Sequence, residues 1–299
     1  MPLGSFNPHS SQTQIITALF ANVLILSAAV FLIVAGLVAY AVVRYRAEKG
    51  LPAGETEPPP NFGSRPIEIA WTVLPILILT ALFVMTVRAM ARIDAPLEPG
   101  RAPDLVITGH QWWWDARYTN GVIAPSEIHI PASRRMLAEI DSTDVIHDFW
   151  VPQLARKIDA VPGRPAYVWL EADTPGTYRG ECSEFCGADH ARMHFLVIAE
   201  PEAEYSAWLQ RESQPARTPP PVTFQQKCAD CHANPAKGPD LSHIASRQTL
   251  GAALSPNNPA NLALWIEKPQ SVKPGNRMPD QQLSGSEVAA LTSWLGSLQ

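Results

Sequence analysis

The sequence predicts a membrane-anchored, multidomain protein: a two-helix transmembrane hairpin, an all-β domain and a small all-α domain. Three observations predict it. From Ile15 to Val43 there is no Asp, Glu, Lys or Arg in 29 consecutive residues, and Ile69 to Val87 is uncharged over 19 more. Between Leu105 and Ala199, short β-prone segments alternate with Pro, Gly, Asn and Asp, while beyond Pro221 the Leu, Ile and Trp residues recur at helical spacing. With 299 residues, 46% hydrophobic, 17% charged and a net charge of -5, the chain is neither a disordered tail nor a strongly basic nucleic-acid binder.

Residues 1–93 form the anchor, with helices over about 14–45 and 67–92. A helix as long as the first run exceeds the ~30 Å hydrocarbon core. Pro75 inside the second run is tolerated where neighbouring groups take up the freed carbonyl. The first run lacks a basic leading segment and is too long for the apolar stretch of a cleaved signal peptide. The first fourteen positions carry no Lys or Arg, whereas Arg44, Arg46, Lys49 and Arg65 lie between or at the ends of the helices. Positive charge stays inside, so both termini face outward.

Residues 94–212 read as strands at Leu105–Gly109, Gln111–Tyr118, Glu127–Ile130, Met136–Ile140, Ala166–Glu171, Thr177–Glu181 and His194–Ala199, an antiparallel sandwich or barrel. A linker over 213–222 lies in a stretch, Arg211 to Pro221, with four prolines in eleven residues. Residues 223–299 read as helical, at Asn261–Glu267 and Glu287–Ser297. From Asp94 to Pro215 there are ten Lys plus Arg against nineteen Asp plus Glu; from Ala216 to Gln299 the count is seven against five. The β unit is acidic and the last unit nearly neutral.

An exported chain normally spends cysteines on disulfides, but the four here form two close pairs, which suggests metal and cofactor chemistry instead. In Cys182-x3-Cys186-x3-His190-x2-Met193, two thiolates, an imidazole and a thioether fall within twelve residues. That soft set suits copper; Met is a poor zinc ligand. A second thiolate allows two metals to be bridged, which calls for another imidazole, and His147 in DVIHDFW is a candidate. Cys228-Ala229-Asp230-Cys231-His232 is the C-x-x-C-H pattern of covalent haem c attachment, with His232 as an iron ligand. Downstream of it only Met278 and His243 offer a sixth ligand. Met278 is preferred, since a Met/His pair raises the potential, and His243 reads as polar surface.

Together the two helices, WTVLP, GHQWWW, HDFWVP, RKIDAVPGR and CSEFCGADHARM resemble subunit II of haem-copper cytochrome c oxidases over roughly residues 12–210. CADCH makes the chain similar to the caa3-type form with a fused cytochrome c domain. The resemblance implies a cupredoxin-like fold and a class I cytochrome c fold. It implies a binuclear CuA centre on His147, Cys182, Cys186, His190 and Met193, with the Glu184 carbonyl as a further ligand. It also implies that the Glu184 side chain helps bind Mg or Mn at the subunit I interface, that Trp112 is where electrons enter, and that Glu68 marks the mouth of a proton path. Trp113 replaces the family's more frequent Tyr.

Subunits I and III and a cytochrome c donor are the implied partners, together with the membrane; nucleic acid is not among them. The implied activity is proton-translocating reduction of O2 to water, with the O2 site in subunit I. His9, His110, His129 and His194 have no partner at ligand spacing, and no Ser/His/Asp set or phosphate loop is present. A copper- or haem-storage module and a nitrous-oxide-reductase-like protein are the competing classes. Two bridging thiolates disfavour the first, and the lack of a large His-rich domain disfavours the second.

Overall fold

The computed structural model describes residues 6–46, 63–94, 100–215, 218–234 and 237–299. Two compact units emerge, one of residues 14–96 and one of residues 1–13 with 97–299. Lys49 of the expected inner loop and Ala216 and Arg217 of the expected linker lie outside the described residues.

The first unit is built on α1 (Ser11–Arg44), from residue 14 onward, and α2 (Arg65–Ile93). At 34 residues α1 is about 51 Å long, enough to cross a bilayer with tilt. It starts three residues before the expected boundary because Ser10 Oγ caps it, accepting the Thr13 amide at 3.1 Å. Polar Ser11, Gln12 and Thr13 extend the helix where the uncharged run gave no signal. Pro75 is accommodated inside α2, and apolar side chains such as Leu24, Phe31, Leu77 and Phe83 point outward along both helices.

The second unit opens with ten strands: β1 (Leu105–His110), β2 (Trp113–Tyr118), β3 (Ile123–Pro125), β4 (Glu127–Pro131), β5 (Met136–Ser142), β6 (His147–Trp150), β7 (Ile158–Ala160), β8 (Ala166–Leu170), β9 (Gly176–Cys182) and β10 (His194–Glu200). They form two five-stranded sheets, in the orders β3-β2-β1-β5-β8 and β4-β10-β9-β6-β7. The sandwich is mixed, not antiparallel as expected, because β1 pairs with β5 and β4 with β10 in parallel. Strands β3, β6 and β7 gave no sequence signal, being three or four residues long.

Between the sheets Trp114, Phe149 and Phe195 are fully buried, with Phe149 and Phe195 stacked at 4.6 Å and Trp114 edge-on to both. Gly180 makes room for this stack: a Cβ there would lie 2.1 Å from the Phe195 ring. Gly180→Ala is therefore expected to cost roughly 3 kcal/mol by overpacking, read as a lower midpoint in thermal or urea unfolding.

Helix α3 (Glu202–Glu212) packs Tyr205 and Trp208 on the sandwich, Trp208 stacking on His129 at 4.0 Å. His129 is half-buried and meets Glu200 at 2.8 Å, a structural role. The helix was not anticipated, since its apolar stripe is only a few residues among charges.

The C-terminal part consists of α4 (Val222–Lys227), α5 (Ala229–His232), a ribbon of β11 (Thr249–Leu250) and β12 (Ser255–Pro256), then α6 (Pro259–Glu267), α7 (Pro269–Val272) and α8 (Gly285–Leu295). Leu262, Ile266, Leu291, Leu295 and Leu298 form its separate core. Asn258 caps α6, and a Ser284/Glu287 capping box starts α8 two residues earlier than the apolar spacing suggested.

Candidate functional site

The sandwich brings the soft donors to one end. His147 opens β6, Cys182 closes β9, Met193 immediately precedes β10, and the 183–192 loop returns Cys186 and His190 over them. The Cys182 amide donates to the Met193 carbonyl at 3.1 Å, so the base of the loop is closed by a backbone bond. Cys182 Sγ lies 3.8 Å from His147 Nδ1 and 3.7 Å from Cys186 Sγ. Cys186 Sγ lies 3.6 Å from His190 Nδ1 and 3.8 Å from Met193 Sδ. The Glu184 carbonyl is 3.3 Å from Cys182 Sγ.

Ligands bound ~2.0–2.3 Å from a common tetrahedral metal stand roughly 3.3–3.8 Å apart, which is the spacing found here. The donor set is soft and its sulfurs are buried, so the residues fit copper. In the thiol pair the hydrogen bond with Cys186 outweighs burial and, with His147, draws Cys182 down to about 3. The same bond and burial push Cys186 up, so Cys182 is the first thiolate of the pair.

His147 is fully buried, and its Nε2 meets Asp144 Oδ1 at 2.8 Å. With Nε2–H donated to the carboxylate, Nδ1 keeps its lone pair toward Cys182, the tautomer a metal ligand needs. Burial raises Asp144, but hydrogen bonds from His147 and from the Gln111 and Val145 amides prevail and bring it to about 2. Sequence reasoning missed Asp144; its signal was an acid three residues before a ligand His. Gly109 lies against the same ring, where a Cβ would come within 2.8 Å of His147 Cδ2.

The three tryptophans do not share one strand as the expected Gln111–Tyr118 span would have them, because β2 begins at Trp113 and leaves Gln111 and Trp112 in the turn after β1. Trp112 Nε1 donates to the Cys186 carbonyl at 3.0 Å, and Gln111 Nε2 to the same oxygen at 2.7 Å. Trp113 stacks on buried His110 at 4.1 Å, and Trp114 is core, edge-on to His147. The Glu184 side chain is exposed, lining a cleft with Asp148, Asp159 and Arg164. Burial and the Asp159 hydrogen bond raise Asp148 to about 7. Glu68 sits in the first turn of α2, in the other unit.

Cys228, Cys231 and His232 stand on α5 and the residue before it, at the mouth of a cavity of about 1450 Å³ including its open side. Phe224, Leu250, Leu262, Leu291 and Leu295 line it, and Met278 reaches the same space as His232. His232 Nδ1 donates to the Pro239 carbonyl at 2.8 Å, and burial lowers its pKa, so Nε2 is left as an unprotonated donor. The Met278 loop is pinned by its own amide to Asn276 Oδ1 at 2.7 Å and by Gln270 Nε2 to its carbonyl at 2.8 Å. An apolar slot with two thiols and an oriented imidazole fits a covalent haem. His243 does not line the cavity and is not on the surface as expected; it is buried, 3.8 Å from Glu212. Its neighbour is α3, the helix the sequence did not reveal.

Comparison with known proteins agrees with this division. Residues 4–88 match the profile described as cytochrome C oxidase subunit II, transmembrane domain, residues 122–200 that of cytochrome C oxidase subunit II, periplasmic domain, and residues 222–299 that of cytochrome c. The chain is 35% identical to cytochrome c oxidase subunit 2 of Alkalihalophilus pseudofirmus, over 99% of this chain and 91% of that one. It is 31% identical to the Bacillus sp. protein of the same name, over 79% and 75%. Among solved structures, the periplasmic domain of subunit II of cytochrome oxidase from Bradyrhizobium japonicum is 30% identical, covering 38% of this chain and 95% of its own, with a TM-score of 0.36. The assignment rests on the sequences: anchored by two apolar helices and carrying a β domain and a fused cytochrome c domain, the chain belongs to the cytochrome c oxidase subunit II family.

Proposed function

We propose that this chain takes electrons from a cytochrome c donor at its C-terminal domain and passes them through its β domain to subunit I of a proton-translocating terminal oxidase. The observation that carries the reading is the convergence of Cys182, Cys186, His147, His190 and Met193 on one point, in a chain that also carries C-x-x-C-H. Bound at these residues, a two-copper CuA centre and a haem c would supply one-electron redox chemistry.

The protein's part is to hold and orient. Cys182, Cys186, His147, His190, Met193 and the Glu184 carbonyl would hold the coppers. Asp144 fixes the His147 tautomer. Cys228 and Cys231 would bind the haem vinyl carbons, and His232 and Met278 its iron. Trp112, bonded to the Cys186 carbonyl, joins the face of the β domain to the metal loop. The 213–222 segment tethers the cytochrome domain and so keeps the donor at high local concentration.

The Glu184 carboxylate, next to Asp148 and Asp159, suits a Mg or Mn shared with subunit I. Glu68 stands at the inner end of α2 for proton uptake. Both soluble domains lie on the periplasmic side of a bacterial inner membrane, with subunit III completing the complex.

Metal analysis and electron paramagnetic resonance of the purified oxidase test this reading. The expected result is two coppers in this chain with the hyperfine pattern of one electron shared equally between them, beside a low-spin c-type haem. A mononuclear copper signal, or haem with no copper, refutes it. Met278→Ala is expected to shift the haem toward high spin and lower its potential while leaving the copper signal unchanged, as seen in optical redox titration.

A further inference from the structure

The cytochrome domain does more than hang from its tether. Lys273, on the loop after α7, is buried, and its Nζ donates to the Trp112 carbonyl at 2.8 Å and to the Gly251 carbonyl at 3.4 Å. Beside it Arg277 bonds Gln111 Oε1 and lies 3.7 Å from Asp144. At a second point Glu127 of β4, also buried, accepts the Gln248 amide at 2.9 Å, the Thr249 amide at 2.7 Å and the Thr249 hydroxyl at 2.6 Å. Ser246 adds a bond to Glu212 of α3 at 3.1 Å. Between the two points the haem cavity is walled on one side by Gln111, Trp112, Trp113 and Pro125 of the β domain.

A buried ammonium and a buried carboxylate are costly unless their hydrogen bonds are made, and each of these finds partners on the other domain. If the domains part, Lys273 and Glu127 return to water and the bonds are lost together. Inter-domain contacts of this kind are ordinarily reversible, so the polar anchors decide the preferred arrangement. The orientation they select places the cavity edge on the same turn, Gln111–Trp112, that contacts the Cys186 carbonyl.

We propose that Lys273 and Glu127 form a two-point clamp that docks the cytochrome domain on the Trp112 edge of the β domain, so that this domain both feeds Trp112 and covers it against a soluble donor. The clamp rests on the electron-transfer reading above. Lys273 and Glu127 are positioning residues in it.

Lys273→Met and Glu127→Ala in the full oxidase complex test the clamp, with Lys273→Arg as the conservative variant. Hydrogen exchange at the Gln248 and Thr249 amides is the readout independent of turnover. In Lys273→Met, where Glu127 is intact, their exchange is expected to rise about tenfold, because both points belong to one docked state. The rate of electron passage from haem to copper within the chain, after flash reduction of the haem, is expected to fall by a similar factor in both variants, and Lys273→Arg to recover most of it. Direct reduction of the copper site by an added soluble cytochrome c is expected to become faster once Trp112 is uncovered. Unchanged exchange in Lys273→Met, or an unchanged internal rate in both variants, overturns the clamp. Absence of either metal signal in the wild-type complex overturns the electron-transfer reading instead.

Discussion

Cys186→Ser is expected to abolish copper retention while leaving the sandwich folded. Cys186 stands at the centre of the donor set, within 3.6–3.8 Å of Cys182, His190 and Met193. Serine offers a hard, protonated oxygen where a thiolate is needed, so the loss should exceed the ~10–100-fold that follows removal of an outer partner of a metal ligand. The fold should persist because the core is the Trp114–Phe149–Phe195 stack and the closing bond between Cys182 and Met193 is backbone. Copper per chain after dialysis, with far-ultraviolet circular dichroism, checks both halves. Full copper occupancy in the variant would show that Cys186 is not a ligand.

Asp144→Asn is the more discriminating change. It keeps the size of the side chain and an oxygen that can accept from His147 Nε2, but removes the charge that favours that tautomer. It also leaves an amide NH2 able to bond the opposite ring tautomer, which would take the lone pair away from the copper site. Copper affinity is expected to fall ~10–100-fold, measured by competition with a chelator, with no loss of haem. The haem serves as an internal control, since its attachment residues Cys228 and Cys231 lie on the other domain, which Asp144 meets at exposed Arg277, 3.7 Å away. An affinity equal to wild type would mean that His147 is oriented by packing against Trp114 alone.

What the sequence revealed and what it hid follow from range. The two long helices were visible because a bilayer demands an uninterrupted apolar run, and the thiol loop and C-x-x-C-H because their donors are close along the chain. Asp144 is three residues from His147, yet an acid beside a histidine is common enough to carry little weight alone. The parallel pairings β1–β5 and β4–β10 have no turn signature, since their partners lie far apart in sequence. Trp112 was placed on a strand because aromatic residues favour strands, whereas the chain turns there and the strand starts one residue later. Glu127 and Lys273 were illegible for the same reason as His243: their partners are more than thirty to more than a hundred residues away, and an isolated Glu or Lys reads as surface.

If the proposed path holds, electrons enter by the cytochrome domain and reach the copper site within the same chain. Rapid mixing of the oxidized oxidase complex with a reduced cytochrome c donor, followed at the haem c band and the near-infrared copper band, tests it most directly. The haem band is expected to rise at a rate proportional to donor concentration, and the copper band then to change at a rate independent of it. Reduction of the copper site at a donor-dependent rate, ahead of or without the haem, would contradict it.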